Sequence, residues 1–335
     1  MLGRSEATLP LRHQLFARLQ GVGLTPQSAD LHHDCCHDDL ARVRGQAQAN
    51  SGEGPCDCVI AMGGGKVLDA GKLLADQLGL PCVTVPTSAA TCAGWTALSN
   101  LYTPSGSYLG DVSLNHCPDL LVFDHDVVRQ APVRTLISGI ADAMAKWYEA
   151  SISSATSTDG LVQQAVQQAR LLRDQMLLDG VAALEQPGSE SWVRVAEGAA
   201  LTAGLIGGLG GARCRTVAAH AVHNGLTQLS TTHSRLHGEK VGFGILVQLR
   251  LEEVVGSSRL AAQARNQLLG FFRSLGVPCE LSELGLAEVG LHDLQEVCAH
   301  ACREGSDLHH LPFAVTPQDL LGALVSTTTQ TLPVG

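Results

Sequence analysis

The sequence has no apolar run long enough to cross a membrane and no concentration of basic residues. A transmembrane helix needs about 20 consecutive apolar residues, and every apolar stretch here is shorter, although 45% of the 335 residues are hydrophobic. The 22 Lys and Arg are outnumbered by 32 Asp and Glu, which gives a net charge of −10. We therefore expect neither a membrane nor a nucleic-acid partner.

The sequence also lacks the features of an exported or zinc-ribbon protein. Its first residues, MLGRSEATLPLRHQ, contain no continuous apolar segment of the signal-peptide type. The eleven cysteines are odd in number and scattered, which indicates reduced thiols and a cytoplasmic location. No pair of CxxC units is present. One crowded segment is a candidate metal site and contains His32, His33, Cys35, Cys36 and His37. A polar loop is the simpler interpretation, because no second half of a ligand set follows in the sequence.

Two patterns of hydrophobic spacing divide the chain. In the first part, strand-like runs at 56–62, 80–86 and 120–124 alternate with helical spacing, which predicts βαβ units and a parallel sheet. From about residue 131 helical runs dominate, at 134–152, 158–178, 190–206, 215–229, 238–255, 258–274, 289–303 and 316–328. We predict a Rossmann-like α/β domain at 1–130 followed by an all-helical domain at 131–335.

A glycine loop and a hydroxyl cluster follow the first two of these strands. Residues 59–72 read VIAMGGGKVLDAGK, a strand that runs through three glycines into a helix. Such a loop lets a pyrophosphate approach the backbone and the helix start, although a plain tight turn would look the same. Thr87, Ser88 and Thr91 end the next strand. They could hold a nicotinamide or its ribose, or they could cap a helix.

Three segments of the helical part carry candidate metal ligands. Asp142 is an acid in an otherwise apolar helix start, His220 and His223 lie three apart on one helical face, and His237 precedes a new helix. One carboxylate and two imidazoles suit a catalytic zinc or ferrous iron with one open position. A lone histidine is more often a surface residue, but three such segments together favour a site.

Five ordered motifs resemble those of the iron-containing alcohol dehydrogenases, in the glycerol dehydrogenase branch. They are GGGKVLDAGK, PTSAATCAGWTALSNLY, GIADAMAKWYEA, AAHAVHNGLT and HGEKVGFGILVQ, and the likeness extends from about Gly3 to about Thr328. Within the branch, TCAGW, DAMAKWYEA, GGLG and HHLP are most similar to the hydroxycarboxylate dehydrogenases, form B in particular. The resemblance implies the dehydroquinate synthase-like architecture, NAD or NADP, one divalent metal that is zinc or iron, and a homo-oligomer.

The resemblance also assigns roles to individual positions. The metal ligands would be Asp142, His220 and His237. His223 would lie beside the cofactor, where it is a candidate for the proton path. The cofactor set would comprise Gly63, Gly64, Gly65, Asp69, Lys72, Thr87, Ser88, Thr91 and Tyr102.

Two departures from the family pattern bear on the metal and the substrate. Lys146 stands where iron-dependent members carry a further histidine, which makes zinc at least as plausible as iron. Cys92 stands where glycerol dehydrogenases carry an aspartate that accepts hydrogen bonds from the polyol. A thiol is a poor acceptor, which disfavours glycerol, and the absence of the aspartate charge favours a substrate with a carboxylate. Lys146 or Arg215 could hold that carboxylate, although both could equally be structural ion-pair partners.

A third departure concerns the start of the chain. Relatives begin several dozen residues earlier with a strand, a glycine turn, a helix and a second strand. Losing these strands would expose the edge of a parallel sheet, so we expect either a start site placed too late or a truncated, weakened copy. Arg4, if it lies at a strand end, could contact a 2′-phosphate and favour NADP.

The sequence therefore predicts a metal-dependent, nicotinamide-linked oxidoreductase that reduces small 2-oxo acids to 2-hydroxy acids, with Lys146 and His223 as catalytic candidates. Glycerol or polyol oxidation is the first alternative. A lyase of the dehydroquinate-synthase kind is disfavoured because few basic residues are present to hold a phosphorylated substrate. A truncated, non-catalytic homologue is the alternative from a different class.

Overall fold

The computed structural model describes residues 1–49, 54–154 and 156–329, so the last six residues of the predicted helical domain lie outside it. The chain divides into two compact units, Met1–Pro132 and Val133 onward. Among the described residues, no helix is both long and apolar enough to span a bilayer.

The strands of the first unit are β1 Leu2–Gly3, β2 Ala29–Asp30, β3 Val59–Gly63, β4 Cys82–Pro86, β5 Leu98–Tyr102, β6 Tyr108–Ser113 and β7 Leu120–Leu121. Five of them form a parallel sheet with the order β2-β1-β3-β4-β7. The predicted runs at 56–62, 80–86 and 120–124 fall on β3, β4 and β7, and the predicted α/β class is confirmed. An antiparallel hairpin of β5 and β6 was not predicted.

Two short strands precede β3, where the sequence analysis placed none. Leu2 pairs with Ala29 on one side and with Ala61 of β3 on the other, so β3 is an interior strand with neighbours at both edges. Each of the two strands has only two residues, which is too short for alternation to reveal. β1 thus flanks β3 on one side, and β2 is the outer strand of the sheet.

Helix α3, Gly65–Leu78, begins at the glycine loop and packs against both β3 and the hairpin. The first unit's helices are α1 Leu9–Gly21, α2 His37–Gln48, α3 Gly65–Leu78 and α4 His125–Arg129. A Cβ atom on Gly71 would lie 2.3 Å from Cβ of Ala61, so this glycine lets α3 pack directly on β3. On the other side of α3, Lys72 Nζ donates to Thr96 Oγ1 (2.9 Å) and Ser99 Oγ donates to the Asp69 carbonyl (2.9 Å).

The second unit is helical throughout its described part. Its helices are α5 Val133–Ser153, α6 Gly160–Glu185, α7 Glu190–Glu197, α8 Ala203–Gly210, α9 Ala218–Leu226, α10 His237–Val254, α11 Arg259–Leu275, α12 Leu291–Ala301 and α13 Pro317–Leu324. The single run predicted at 190–206 is α7 and α8 joined by a π-helical turn, Gly198–Thr202. A Cβ on Gly198 would meet Met176 Cε at 2.5 Å, so the turn packs tightly on α6.

Helix α10 is buried along most of its length because its glycines allow close contact with two neighbours. A Cβ on Gly238 would lie 1.8 Å from the Ser138 carbonyl of α5, and one on Gly244 would lie 2.3 Å from the Ala219 carbonyl of α9. No larger residue fits at either point. The glycines of HGEKVGFG are thus explained by packing, and they bring α5, α9 and α10 together.

A buried carboxyl on α10 makes stability depend on pH. Burial raises the pKa of Glu252 from 4.5 to about 7, although its Oε1 accepts a hydrogen bond from Gln248 Nε2 at 3.0 Å. The unfolded chain loses this proton above pH 4.5, whereas the folded chain keeps it until about pH 7. Stability therefore falls as the pH rises through that window, by up to about 3 kcal/mol at about 1.4 kcal/mol per pKa unit.

We predict that Glu252→Gln stabilises the protein at pH 8 and leaves it nearly unchanged at pH 4, because glutamine cannot ionise and still accepts from Gln248. Urea unfolding at both pH values measures the difference. Glu288→Gln, at an exposed position, is the control and should change the free energy of unfolding by the same amount at pH 4 and pH 8. A loss of stability at pH 8 would contradict the prediction.

Candidate metal centre

The structure brings Asp142, His220 and His237 together from three helices. Asp142 lies in α5, His220 in α9, and His237 is the first residue of α10. Asp142 Oδ1 lies 3.4 Å from Nε2 of each histidine, and the three ligand atoms lie within 4.8 Å of one another. Among the described residues, the one other such group is the exposed set His292, Asp293 and Glu296 on α12.

The start of α10 is fixed by contacts that determine where His237 lies. The Gly238 N–H donates to Ser138 Oγ (3.0 Å), one turn before Asp142 on α5. Glu239 accepts from the Leu236 N–H (2.8 Å) and forms a bidentate pair with Arg134 at 2.5 and 2.7 Å. These bonds join the first turn of α10 to the first two turns of α5.

The environment of Asp142 fits a metal ion. Its carboxylate is buried, and Oδ1 makes no hydrogen bond of ordinary geometry within the described chain. Burial alone would raise the pKa of Asp142, but the Lys146 ammonium and the two imidazoles hold it well below its ordinary value. Zinc bonds of about 2.0–2.2 Å place neighbouring ligand atoms of a tetrahedral centre about 3.3 Å apart, close to the 3.4 Å observed. The donor set therefore fits a divalent cation.

His220 has a charged partner on its far side. Its Nδ1 lies 2.6 Å from Glu149 Oε2, while Nε2 faces Asp142. Burial would lower the pKa of His220, but Glu149 and Asp142 raise it to about 9. Sequence reasoning missed Glu149, although its position seven residues after Asp142 places both on one face of α5.

His237 has a neutral partner instead. Its Nδ1 lies 3.0 Å from His223 Nε2, and His223 Nδ1 lies 2.9 Å from Asn224 Oδ1. Burial and the neighbouring His237 and Lys240 hold the pKa of His223 well below its ordinary value. When the Asn224 oxygen accepts a hydrogen bond from His223 Nδ1, His223 Nε2 carries no hydrogen and accepts from His237 Nδ1. The Nε2 atom of His237 then carries a lone pair that faces Asp142. Both ring nitrogens of His223 thus contact protein groups, and its part in a proton path stays a prediction.

The other catalytic candidates lie in different surroundings. Lys146 is buried, with Nζ 3.7 Å from Asp142 Oδ1. Arg215 is partly buried just before α9, and Cys92 is partly buried after β4. Of the crowded segment at 32–37, Cys35 and Cys36 are fully buried, and no ligand group of three was found there.

The predicted cofactor residues of the first unit gather around the glycine loop. Gly63 ends β3, Gly64 is the N-cap of α3, and Gly65 begins that helix. A Cβ on Gly65 would lie 2.8 Å from Thr91 Oγ1, so the hydroxyl cluster borders the loop. The Thr87 N–H donates to the Gly63 carbonyl (3.0 Å), which links the ends of β3 and β4.

Two members of the predicted cofactor set are buried and bonded to protein groups. Asp69 and Lys72 form an ion pair at 3.1 Å, and both contact the hairpin: the Asp69 carbonyl accepts from Ser99 Oγ, and Lys72 Nζ donates to the Leu98 carbonyl. Burial raises the pKa of Asp69, which the Lys72 ammonium partly opposes. Through these contacts Asp69 and Lys72 support the glycine loop, and a direct bond from either residue to the cofactor stays a prediction. Tyr102 is buried in the hairpin, and Lys66 Nζ lies 4.9 Å from its ring centroid.

A charged cluster lies at the carboxyl ends of β1 and β2. Arg4 follows β1, and its guanidinium pairs with one oxygen of Asp34. Lys66, in the first turn of α3, pairs with the other oxygen. Sequence reasoning singled out Arg4 but missed Asp34 and Lys66, because nothing in the local pattern shows that these segments meet.

Known proteins resemble the chain over most of its length. The family model for iron-containing alcohol dehydrogenases matches residues 2–125. An uncharacterized oxidoreductase of Synechocystis sp. is 53% identical over 92% of this chain and 79% of that protein. Hydroxycarboxylate dehydrogenase A of Escherichia coli is 38% identical over 83% of this chain and 76% of that protein. The crystal structure of a probable glycerol dehydrogenase from Sinorhizobium meliloti aligns with a TM-score of 0.81 and 30% identity, over 97% of this chain and 88% of that one.

The fold, the ligand set and these similarities define a metal-dependent oxidoreductase that acts on alcohols or polyols. The chain belongs to the iron-containing alcohol dehydrogenase family, and its relatives include glycerol dehydrogenases and hydroxycarboxylate dehydrogenase A. The resemblance to this family and to its glycerol dehydrogenase branch, drawn from the motifs, is confirmed.

We predict that His237→Ala weakens zinc or cobalt binding by about 100-fold or more, since losing a direct ligand exceeds the 10- to 100-fold effect of losing an outer partner. Titration of the metal-stripped protein with Co²⁺, followed by its visible absorption, measures this. His292→Ala, in the exposed group on α12, is the control and should bind as the unaltered protein does. Weakened binding in His292→Ala together with unchanged binding in His237→Ala would assign the metal centre to α12 instead.

Proposed function

We propose that this protein is a metal-dependent, NADP-preferring reductase that converts small 2-oxo acids to 2-hydroxy acids. The observation that carries the proposal is the group of Asp142, His220 and His237, whose ligand atoms lie within 4.8 Å of one another. Three protein ligands leave one position for substrate, which is the arrangement of catalytic rather than structural sites. We expect a cytoplasmic homo-oligomer.

Each residue of the centre has a role in the reaction. A divalent metal held there would act as a Lewis acid towards the substrate carbonyl, while a nicotinamide would exchange the hydride. The side chains of Asp142 and His220 are 4% and 9% exposed, whereas that of His237 is 25% exposed, so the centre opens on the His237 side. The buried side excludes water, which strengthens the field that the carbonyl experiences.

Three observations favour an acid as substrate over a polyol. Cys92 stands where the resemblance places a polyol-binding aspartate, and a thiol is a weak acceptor. Lys146 places an ammonium 3.7 Å from Asp142, and Arg215 lies just before α9. Either cation could hold a substrate carboxylate. The name of the 38% identical relative, hydroxycarboxylate dehydrogenase A, describes the same substrate class.

The glycine loop is proposed to hold the cofactor's pyrophosphate. The N-cap of α3 is Gly64, which has no side chain to occupy the first-turn N–H groups, and α3 is a 14-residue helix with its positive end at the loop. Thr87, Ser88 and Thr91 would contact the nicotinamide half, as the resemblance implies. The loop lies at the carboxyl edge of the parallel sheet, where ligands of such sheets bind.

The preference for NADP rests on the cluster at β1 and β2. An acid at this edge normally accepts hydrogen bonds from the ribose hydroxyls of NAD, whereas an arginine accommodates the 2′-phosphate of NADP. Both oxygens of Asp34 are already engaged, one by Arg4 and one by Lys66. The cluster has a net charge of +1, which favours a phosphate over a neutral hydroxyl.

Polyol oxidation is the second candidate, favoured by the structural match to a probable glycerol dehydrogenase. The purified protein, supplied with zinc or ferrous iron, separates the two. We expect NADPH oxidation with 2-oxobutanoate or 2-oxoglutarate, little with dihydroxyacetone, and none in His237→Ala. In Lys146→Met, the KM for the 2-oxo acid should rise about 10-fold or more, since a charge-assisted hydrogen bond contributes about 1.5–3 kcal/mol.

Turnover of dihydroxyacetone alone would replace the proposal by polyol chemistry. An unchanged KM in Lys146→Met would remove the role of that lysine, and the same substitution at Arg215 would then test the other cation. No turnover with any pair, in a protein that binds metal, would favour a non-catalytic homologue.

We predict that Arg4→Ala weakens NADPH binding by about 10- to 100-fold and leaves NADH binding nearly unchanged, because only NADPH carries the phosphate. Quenching of tryptophan fluorescence measures both dissociation constants. Arg129→Ala, which removes an exposed ion pair with Asp126 in the same unit, is the control. Equal weakening of both nucleotides would assign Arg4 to the fold rather than to specificity.

A further inference from the structure

Glu149 is a carboxylate with no exposed surface that no step of the proposed reaction uses. It lies on α5 seven residues after Asp142, so a metal ligand and this second acid share one helical face. Its two oxygens contact different parts of α9. Burying a carboxylate is unfavourable unless its lone pairs accept hydrogen bonds, and the donors here belong to His220 and to Val217 at the start of α9.

One oxygen of Glu149 fixes the backbone at the start of α9. Oε1 accepts from the Val217 N–H (2.7 Å) and from the His220 N–H (3.0 Å). The intervening Ala219 N–H donates to Gln248 Oε1 of α10 at 3.2 Å. Helix starts leave such N–H groups without partners of their own, and here side chains of two other helices supply them.

The other oxygen fixes the imidazole ring. Oε2 lies 2.6 Å from His220 Nδ1, and an ionised carboxylate can only accept. The ring must therefore carry a hydrogen on Nδ1. Its Nε2, which lies 3.4 Å from Asp142 Oδ1, is then the atom available to a metal. One side chain thus fixes both the position of His220 and which nitrogen it presents.

We propose that Glu149 is the positioning residue of the metal centre, which it serves by holding His220 with Nε2 turned towards Asp142. The inference rests on the metal centre of the proposed function, and it adds a residue that acts through a ligand. Outer partners of metal-binding histidines contribute about 10- to 100-fold to metal affinity. His237 has the neutral His223 in the same place, so the anionic partner belongs to His220 alone.

The substitution Glu149→Gln distinguishes this role from simple packing. Glutamine has the same size but only one acceptor oxygen, and its NH₂ group must face either the ring or the backbone donors. Facing the ring, it would favour a hydrogen on Nε2, the atom that should bind metal. Facing the backbone, it would leave the Val217 and His220 N–H groups opposed by another donor.

The experiment is a Co²⁺ titration of the metal-stripped full chain, with the visible absorption spectrum and dissociation constant as readouts. We expect Glu149→Gln to weaken Co²⁺ binding about 10- to 100-fold and to change the spectrum of the bound ion. Glu252→Gln is the matched control, because it makes the same change at a buried carboxyl that contacts Gln248 rather than His220. It should leave both readouts unchanged.

Gln248→Leu separates the ring from the backbone. It removes the acceptor of the Ala219 N–H and leaves the Glu149 contact with the ring in place. We expect affinity to fall by less than about threefold. If Gln248→Leu weakens binding as much as Glu149→Gln does, the role of Glu149 is structural and the proposal is overturned. Unchanged affinity and spectrum in Glu149→Gln would overturn it directly.

Three further outcomes are informative. If Glu149→Gln does not fold, Glu149→Asp withdraws the carboxylate from the ring and should weaken binding about 10-fold, with unchanged binding counting against the proposal. Failure of the unaltered protein to bind Co²⁺ would overturn the metal centre and this role together. Normal Co²⁺ binding without turnover of any 2-oxo acid would sink only the proposed substrate, because the titration does not depend on catalysis.

Discussion

The second unit is organised around a carboxylate that cannot be left alone in an apolar helix. Asp142 lies among buried alanines and Met144 of α5, and an isolated charge there would be strongly unfavourable. It is compensated by Lys146 one turn later and by the His220 imidazole of α9, and the His237 imidazole of α10 also faces it. Because each compensating group comes at a fixed place on its helix, the charge also fixes how α5, α9 and α10 are placed relative to one another.

Glycine makes that placement sterically possible. The helix axes approach closely enough only because Gly238 and Gly244 present no side chain to the carbonyls of Ser138 and Ala219. A single methyl group at Gly238 would displace α10 at the residue next to His237, and the ligand distance would change with it. Residues without chemistry of their own therefore determine the geometry of the centre as firmly as the ligands do.

The sequence predicted features that depend on local pattern and missed those that depend on distant contact. The strands β3 and β4 and the long helices follow from runs of apolar residues, and the histidines stood out by type and spacing. The strands β1 and β2 have two residues each, so only their pairing with β3 identifies them. Glu149 and Asp34 look like ordinary acids in the sequence. Their importance appears only when the fold places Glu149 on His220, and Asp34 between Arg4 and Lys66.

The charges around the centre explain why a cation belongs there. Asp142 and Glu149 contribute two negative charges and Lys146 one positive charge, which leaves one negative charge in a buried volume. Without metal, a proton on His220 offsets it, and this is why the pKa of that ring is raised to about 9. A divalent cation held by Asp142, His220 and His237 would replace that proton on Nε2, with Glu149 still accepting at Nδ1, and would bring the summed charge of these groups to +1. The same carboxylate would thus stabilise the protonated ring of the metal-free protein and orient the neutral ring that a metal requires.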